Sequence, residues 1–332
     1  DIFHSLKDEL LSYSMINVCY NIVYQNDFNK AFTQRRFLMT KNDFKDLTKN
    51  ILLLDGATGS NLMAAGMPRG VCTETWVLQH REVLQKLQKA YINSGSRVIY
   101  APTFGANRIN LKMHHLEDKI KEMNYELVAI AKESANGQAF VAGDITTTGK
   151  MMAPAGDLTY EEAFEVYEEQ ISFLRDAGVD MIIAETMINI EETLAAVDAA
   201  SQVCELPVLC TMTVEADGSI FSGGNAVEAA LALESAGASA VGINCSVGPD
   251  QLVSVVRNIK EAVSVPVIAK PNAGMPLIDE QGNAIYNMDP TEFAQHMKVL
   301  VENGASIIGG CCGTTPEYIR AVAEELGIYA GR

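Results

Sequence analysis

Residues 159–187 read TYEEAFEVYEEQISFLRDAGVDMIIAETM, and this stretch holds the unit from which the fold is built. From Thr159 to Ala177 the pattern is that of an amphipathic helix. Glu161 and Glu162 stand in its first turn, and Gly178 lies just past its end, where a left-handed residue is needed. The chain then turns at Ala-Gly-Val-Asp and enters an apolar run from Asp180 that ends on Glu185 and Thr186. Helix, glycine stop, buried strand and polar strand end follow one another within 29 residues.

Outward from this unit the same order recurs. Short apolar runs begin at Ile51 (ILLLDGATG), Arg97 (RVIYAPTFGAN), Ala139 (AFVAGDITTTG) and Asp180, then at Pro207 (PVLCTMTV), Ser239 (SAVGINCSVG), Val265 (VPVIAKPNAG) and Ser306 (SIIGGCCGTTP). Helical stretches such as Asn225–Ala236 and Asp289–Glu302 separate them. SGS, AGVD, AGAS and NGAS mark entry into the second, fourth, sixth and eighth runs. Apolar runs separated by helices indicate a parallel sheet. Eight units over about 280 residues predict a single-domain (β/α)8 TIM barrel, with an open doubly wound sheet as the alternative. The barrel is expected over residues 45–328, and residues 1–44 form an N-terminal extension of no clear period, with Met39 resembling a natural start.

Composition narrows the class. The 332 residues are 48% hydrophobic and 20% charged, with a formal net charge of −17, as in a globular protein able to bury a large core. Residues 1–38 balance four basic against four acidic side chains, so the imbalance lies in the body. Such a body repels phosphate backbones and anionic lipid, which argues against nucleic acid and membrane partners. No apolar run reaches the roughly 20 residues that span a bilayer, and the N-terminus has no signal-peptide pattern. Seven cysteines without a small disulfide framework predict a reducing, cytoplasmic setting.

In a barrel of this kind, chemistry sits where strands end. Those ends carry Asp55-Gly56-Ala57, Thr103, Asp144, Glu185, Asn244-Cys245, Asn272 and Cys311-Cys312. Three of the seven cysteines therefore fall at the ends of strands six and eight. Zinc takes thiolates in a tetrahedron, and a catalytic zinc keeps one position open, so Cys245, Cys311 and Cys312 are the expected metal ligands. Gly309, Gly310 and Gly313 free the backbone to aim the adjacent pair. A Cys311–Cys312 disulfide would be strained. Cys204 and Cys210 read as small buried hydrophobes, and Cys19 and Cys72 have no assigned role. Zinc with three thiolates carries a formal −1 charge, which suits holding an incoming thiol as a reactive thiolate better than activating water. Alkyl transfer to sulfur is the expected chemistry.

Glu185 follows an apolar run, so it either points into the barrel mouth or is buried at a cost, and a substrate ammonium is the expected partner. Asp55 is either a helix cap or a substrate contact, and the amides of Gly56 and Ala57 can approach a carboxylate closely. His80, His114 and His115 fall in helical stretches and read as surface or packing residues. The 14 methionines read as core filler.

Together IIGGCCGTTPEYIRAV, GINCSVGP, LLLDGATGS, PTFGANR and KPNAG resemble the homocysteine S-methyltransferase family from about residue 45 to 326. The closest likeness is to the homocysteine-binding module of cobalamin-dependent methionine synthases. Betaine-dependent relatives usually carry an aromatic residue where this chain has Gly105. The resemblance implies a zinc site of Cys245, Cys311 and Cys312, with homocysteine bound through its amine at Glu185 and its carboxylate at Asp55-Gly56-Ala57. It places the Asn272 amide near the metal and Asn244 as a support. The donor it implies is methylcobalamin, a corrinoid supplied by a partner protein or domain. The alternatives are S-methylmethionine, S-adenosylmethionine or a betaine as donor, or a zinc scaffold subunit without catalysis. One departure is Thr146-Thr147-Thr148-Gly149, where the family often shows Gly-Pro-Thr-Gly. Complete synthases of this type carry folate, cobalamin and reactivation domains, so the expectation is an excised module or a free-standing subunit that meets a separate corrinoid protein.

Overall fold

In the computed structural model, which describes residues 39–278 and 284–328, each of the eight apolar runs becomes a strand. They are β1 (Leu52–Leu53), β2 (Val98–Tyr100), β3 (Phe140–Ile145), β4 (Met181–Met187), β5 (Val208–Met212), β6 (Ala240–Asn244) and β7 (Val267–Lys270). A hairpin of β8 (Pro276–Ile278) and β9 (Ala284–Tyr286) intervenes before the last, β10 (Ala305–Ile308). The eight lie in one sheet, in the order β1-β10-β7-β6-β5-β4-β3-β2. Its two ends meet where the Arg97 N–H donates to the Leu53 carbonyl at 2.7 Å. Strands that follow chain order around a closed ring make a (β/α)8 barrel and exclude the doubly wound alternative, whose strand order must reverse.

Period-two alternation along the strands decides what fills the barrel. Leu52, Val98, Phe140, Met181, Leu209, Ala240, Ile268 and Ile307 form one buried cluster inside it. Leu53, Ile99, Val141, Ile182, Cys210, Val241, Ala269 and Ile308 join the helices in a second cluster outside. Two or four residues further along, the inward positions are polar: Asp144, Glu185, Thr211, Asn244 and Lys270, all buried. The barrel is therefore greasy below and charged above, at the strand ends.

The helices start and stop as their sequences dictate. Thr159 caps Tyr160–Ala177 through a reciprocal bond with Glu162, and Gly178 takes the left-handed conformation at φ 81°. Asn225 caps Ala226–Ser235 and Asp289 caps Pro290–Glu302. The histidines expected within helices instead lie at their ends. His80 separates Thr73–Gln79 from Arg81–Asn93, and His114 and His115 sit in the turn after Arg108–Lys112. Among the described residues no helix is long and apolar enough to cross a membrane.

The expected boundary at residues 44/45 falls inside a helix, Lys41–Leu47, whose Thr40 cap and Asp43 bond reciprocally. Met39 and Phe44 from this segment pack into the inner cluster with Leu52 and Leu54, so the helix stoppers the barrel at the end away from the strand C-termini. Residues 1–38, with Cys19, lie outside the described residues. Phe44 is 1% exposed, and Phe44→Ala should cost about 3–5 kcal/mol through lost burial and a cavity. Urea unfolding of the variant should show this as a lower midpoint; an unchanged midpoint would mean the stopper contributes nothing.

Candidate functional site

The cysteines at the ends of β6 and β10 converge. The sulfurs of Cys245, Cys311 and Cys312 all lie within 4.8 Å of one another, and those of Cys245 and Cys312 are 3.5 Å apart. Thiolates bound at about 2.3 Å to a tetrahedral zinc stand about 3.8 Å apart, so little movement is needed to hold one. Among the described residues this is the group of metal-ligating side chains that could hold an ion. Three sulfurs favour a soft or borderline ion over magnesium or calcium. The Cys312 thiol is pushed down to about 3 by hydrogen bonds from Cys245 and Cys311.

Backbone geometry aims these sulfurs. Cys245 has a φ of 48°, a left-handed conformation that costs a non-glycine residue of order 1 kcal/mol and recurs at functional sites. Its N–H is held by the Lys270 carbonyl at 3.3 Å. Gly310 has no room for a side chain, since a Cβ there would meet Thr314. The Thr314 hydroxyl donates to the Cys311 carbonyl at 2.7 Å and accepts from the Ala57 N–H at 3.1 Å. That bond joins the loop after β10 to the turn after β1.

Asn244, 0% exposed, braces the centre from below. Its side-chain oxygen accepts from the Thr186 N–H and the Thr211 hydroxyl, both at 2.8 Å. Its amide donates to the Thr186 hydroxyl at 2.8 Å and towards the Cys311 sulfur at 3.8 Å. Thr186 needs the brace, because its φ of 60° is rare for a β-branched residue. Asn272 is buried, donates its amide to the Ser246 carbonyl at 2.9 Å, and leaves its side-chain oxygen without a partner. An orphaned oxygen at this depth costs free energy unless something bound supplies a partner.

Lys270, the first residue of the KPNAG stretch, is central to the site although nothing local in the sequence marks it. Its ammonium, 3% exposed, lies 3.4 Å from Asp55 and 3.3 Å from Glu185, and 4.0 Å from the centroid of the Tyr100 ring. Burial alone would lower its pKa, but Glu185, Tyr100 and Asp55 lift it well above the ordinary lysine range, so it stays charged. Burial raises Asp55 and Glu185, and Lys270 opposes both rises. Asp144 joins them inside, with one carboxylate oxygen unpartnered. Burial, then the charge of Glu185, push its pKa well up.

Asp55 does not cap a helix. Its carboxylate accepts the Tyr100 N–H at 2.8 Å, continuing the β1–β2 seam with a side chain in place of a strand. The Ala57 amide, expected to be open to a carboxylate, is already engaged by Thr314. A Cβ on Gly56 would strike the Tyr91 hydroxyl and Thr314, so glycine is needed there for close approach. The Thr147–Gly149 rim is tied to a fully buried carboxylate, Glu192. It accepts from the Thr147 hydroxyl at 2.7 Å and from the N–H and hydroxyl of Thr148 at 2.7 and 2.8 Å. Elsewhere, Cys210 is fully buried as expected. Cys204 and Cys72 are half-buried, the latter donating to Glu74 at 3.3 Å.

Comparison with known proteins places this site in context. The family described as homocysteine S-methyltransferase matches residues 52–326. The chain is 30% identical over 298 residues to methionine synthase of Mycobacterium tuberculosis, covering 84% of this chain and 25% of that protein. It matches methionine synthase of Mycobacterium leprae equally, over 24% of its length. The chain thus spans about a quarter of these curated relatives. The fold is similar to that of the homocysteine methyltransferase MmuM from Escherichia coli in its oxidized form. The TM-score is 0.70 and the identity 19%, covering 82% of this chain and 95% of that one. With the family matched along nearly the whole described barrel, the chain belongs to the homocysteine S-methyltransferase family.

Proposed function

We propose that this chain methylates the thiol of homocysteine to give methionine, with one zinc held by Cys245, Cys311 and Cys312. We propose further that the methyl donor is a methylated corrinoid carried by a partner protein or domain. The observation that supports this most is the convergence of three sulfurs within 4.8 Å, joined through Asn244 to a strand end that carries a buried carboxylate. When bound by three thiolates, zinc would keep a fourth, substrate sulfur deprotonated yet electron-rich.

The rest of the reading concerns this chain's own groups. Asp55, Asp144 and Glu185 face one buried ammonium, that of Lys270. Ionised together, Asp55 and Glu185 outweigh that one ammonium and leave an excess of negative charge that an incoming amino acid's ammonium offsets, and Glu185 is the assigned receiver. The turn of Asp55, Gly56 and Ala57 is the assigned receiver of the substrate carboxylate, which would have to displace the Thr314 hydroxyl to reach the Ala57 amide. Asn244 and Asn272 hold the sulfur end, the first by bracing Cys311 and the second by offering its unpartnered oxygen. With the amino acid gripped at both polar ends, the homocysteine sulfur gives its electron pair to the methyl carbon, and the donor keeps the pair it shared with that carbon. In-line attack needs the two atoms about 3–3.5 Å apart, so the donor must reach down to the cysteines.

The rim supports a bulky donor. Gly149, Gly223 and Gly224 are exposed and Gly105 and Thr147 half-buried, leaving an open ledge for a flat macrocycle. Gly105 supplies no ring, and the buried Glu74 carboxylate bonded to its N–H at 2.8 Å would have to shift for a Cβ to fit there. That weighs against an aromatic cage for a quaternary ammonium. Two of the relatives are named methionine synthases, which fits methionine as the product. The free thiols fit a reducing compartment, which we take to be the cytoplasm.

Purified protein should hold one zinc per chain, and Cys245→Ala, Cys311→Ala or Cys312→Ala should lose both metal and activity while keeping the barrel's circular dichroism. Full zinc in any variant would remove that cysteine from the ligand set. Glu185→Gln should keep its zinc but bind homocysteine about 1.5–3 kcal/mol more weakly, the scale of a hydrogen bond to a charged group, as read by calorimetry. Unchanged affinity would take Glu185 out of the site. Methylcobalamin, free or on a corrinoid protein, should yield methionine from homocysteine, whereas S-adenosylmethionine should be nearly inactive. Turnover with a betaine or S-methylmethionine and none with methylcobalamin would overturn the donor assignment alone.

A further inference from the structure

Homocysteine brings a thiol, an ammonium and a carboxylate to its site together. A short chain of methylenes separates its sulfur from its α-carbon, so both charges must be met close to the three cysteines. The carboxylate needs a cation or free donors, and the turn after β1 offers few. Its Ala57 N–H is spent on Thr314, and Gly56 lies hard against Tyr91 and Thr314. Among the described residues one lysine or arginine is buried, Lys270. It ends β7, which lies between β6 and β10 in the sheet, and those are the strands whose ends carry the cysteines. Its own carbonyl accepts the Cys245 N–H.

The Lys270 ammonium is not saturated. It has three donors. One goes to Glu185 at 3.3 Å, and the face of the Tyr100 ring covers another side at 4.0 Å. The contact with Asp55, at 3.4 Å, leaves the Asp55 Oδ1 without a hydrogen bond. Asp144 Oδ1 and the Tyr100 hydroxyl are likewise buried without partners. Buried polar atoms in this state point to a bound group that completes them. The floor of the mouth sets one cation beside carboxylates, which matches a ligand that carries both signs.

We propose that Lys270 receives the substrate's carboxylate while Glu185 receives its ammonium, so that an α-amino acid lays its two charges in reverse against the Lys270–Glu185 pair. The proposal rests on the homocysteine reading above and adds to it the residue that selects an amino acid over a plain amine. A zwitterion is neutral overall, so the net charge of the buried cluster does not change when it enters. Each of its charged ends gains a charge-assisted hydrogen bond. Asp55 joins Lys270 to the turn after β1, so a carboxylate held by the lysine adjoins that turn and does not call on the Ala57 amide.

The test is calorimetry on the zinc-loaded chain with L-homocysteine and with 3-aminopropane-1-thiol, the same molecule without its carboxylate. Wild type should favour homocysteine about 10- to 100-fold, the scale of one hydrogen bond between charged groups. Lys270→Met should lower homocysteine affinity by about that factor and bind 3-aminopropane-1-thiol at least as tightly as wild type does, so the preference collapses. A merely structural role for Lys270 would weaken both ligands together. Lys270→Arg keeps the charge and should hold most of the preference. Should Lys270→Met fail to fold, as read by circular dichroism, Lys270→Gln takes its place with the same expectation, since it keeps a donor for Asp55 and loses the charge. Equal binding of the two ligands by wild type overturns the proposal and leaves the homocysteine reading intact. An undiminished preference in a folded neutral variant, or a parallel loss of both ligands, does the same. Failure of the zinc-loaded wild type to bind either thiol would overturn the homocysteine reading instead.

Discussion

One buried ammonium holds the upper barrel together. Lys270 sits between Asp55, on the first strand's turn, and Glu185, at the end of the fourth. Removing a charge from water costs several kcal/mol, and its partners return that only when the geometry is good. Here the return comes from carboxylates on two sides and a tyrosine face on a third. Because the partners come from strands far apart in the ring, the pairings fix the barrel's mouth as well as neutralise charge. Replacing only one member would leave the others buried and uncompensated, so this cluster stands or falls as a unit.

The strained residues lie next to it. Thr186 follows Glu185, Cys245 follows Asn244, and both have positive φ. Each is where an inward-facing strand position hands over to a loop that must turn back across the mouth. Asn244 stabilises one turn with its side chain and initiates the other with its backbone. A single amide therefore sets the relative positions of a carboxylate and a sulfur that no strand ladder connects directly.

The barrel was legible because its information is local. Glycine stops, acidic first turns and apolar runs each report on a few neighbouring residues, and eight repetitions left little choice of architecture. The cysteine trio was legible because strand ends share one rim, so residues distant in sequence could be brought together on paper. Lys270 was not, although it too ends a strand. A lone cation after Val-Ile-Ala announces a buried partner without saying which of several carboxylates it meets. Asp55 was read as a cap or a contact because its bond to the Tyr100 amide depends on how β1 and β2 close, and closure has no local signature. The β8–β9 hairpin escaped because two three-residue strands inside a long loop carry too little alternation to stand out.

The bond between Ala57 and Thr314 crosses 257 residues of sequence, and the cysteine pair sits beside its far end. Synthesis on the ribosome therefore makes nearly the whole barrel before the clasp that completes it. A chain interrupted before β10 has its hydrophobic strands in place, yet lacks the partner for β1 and two of the three clustered sulfurs. Ring closure and assembly of the sulfur cluster thus become one and the same event in the making of this barrel. A barrel caught before that step offers one sulfur of the cluster where the closed one offers three.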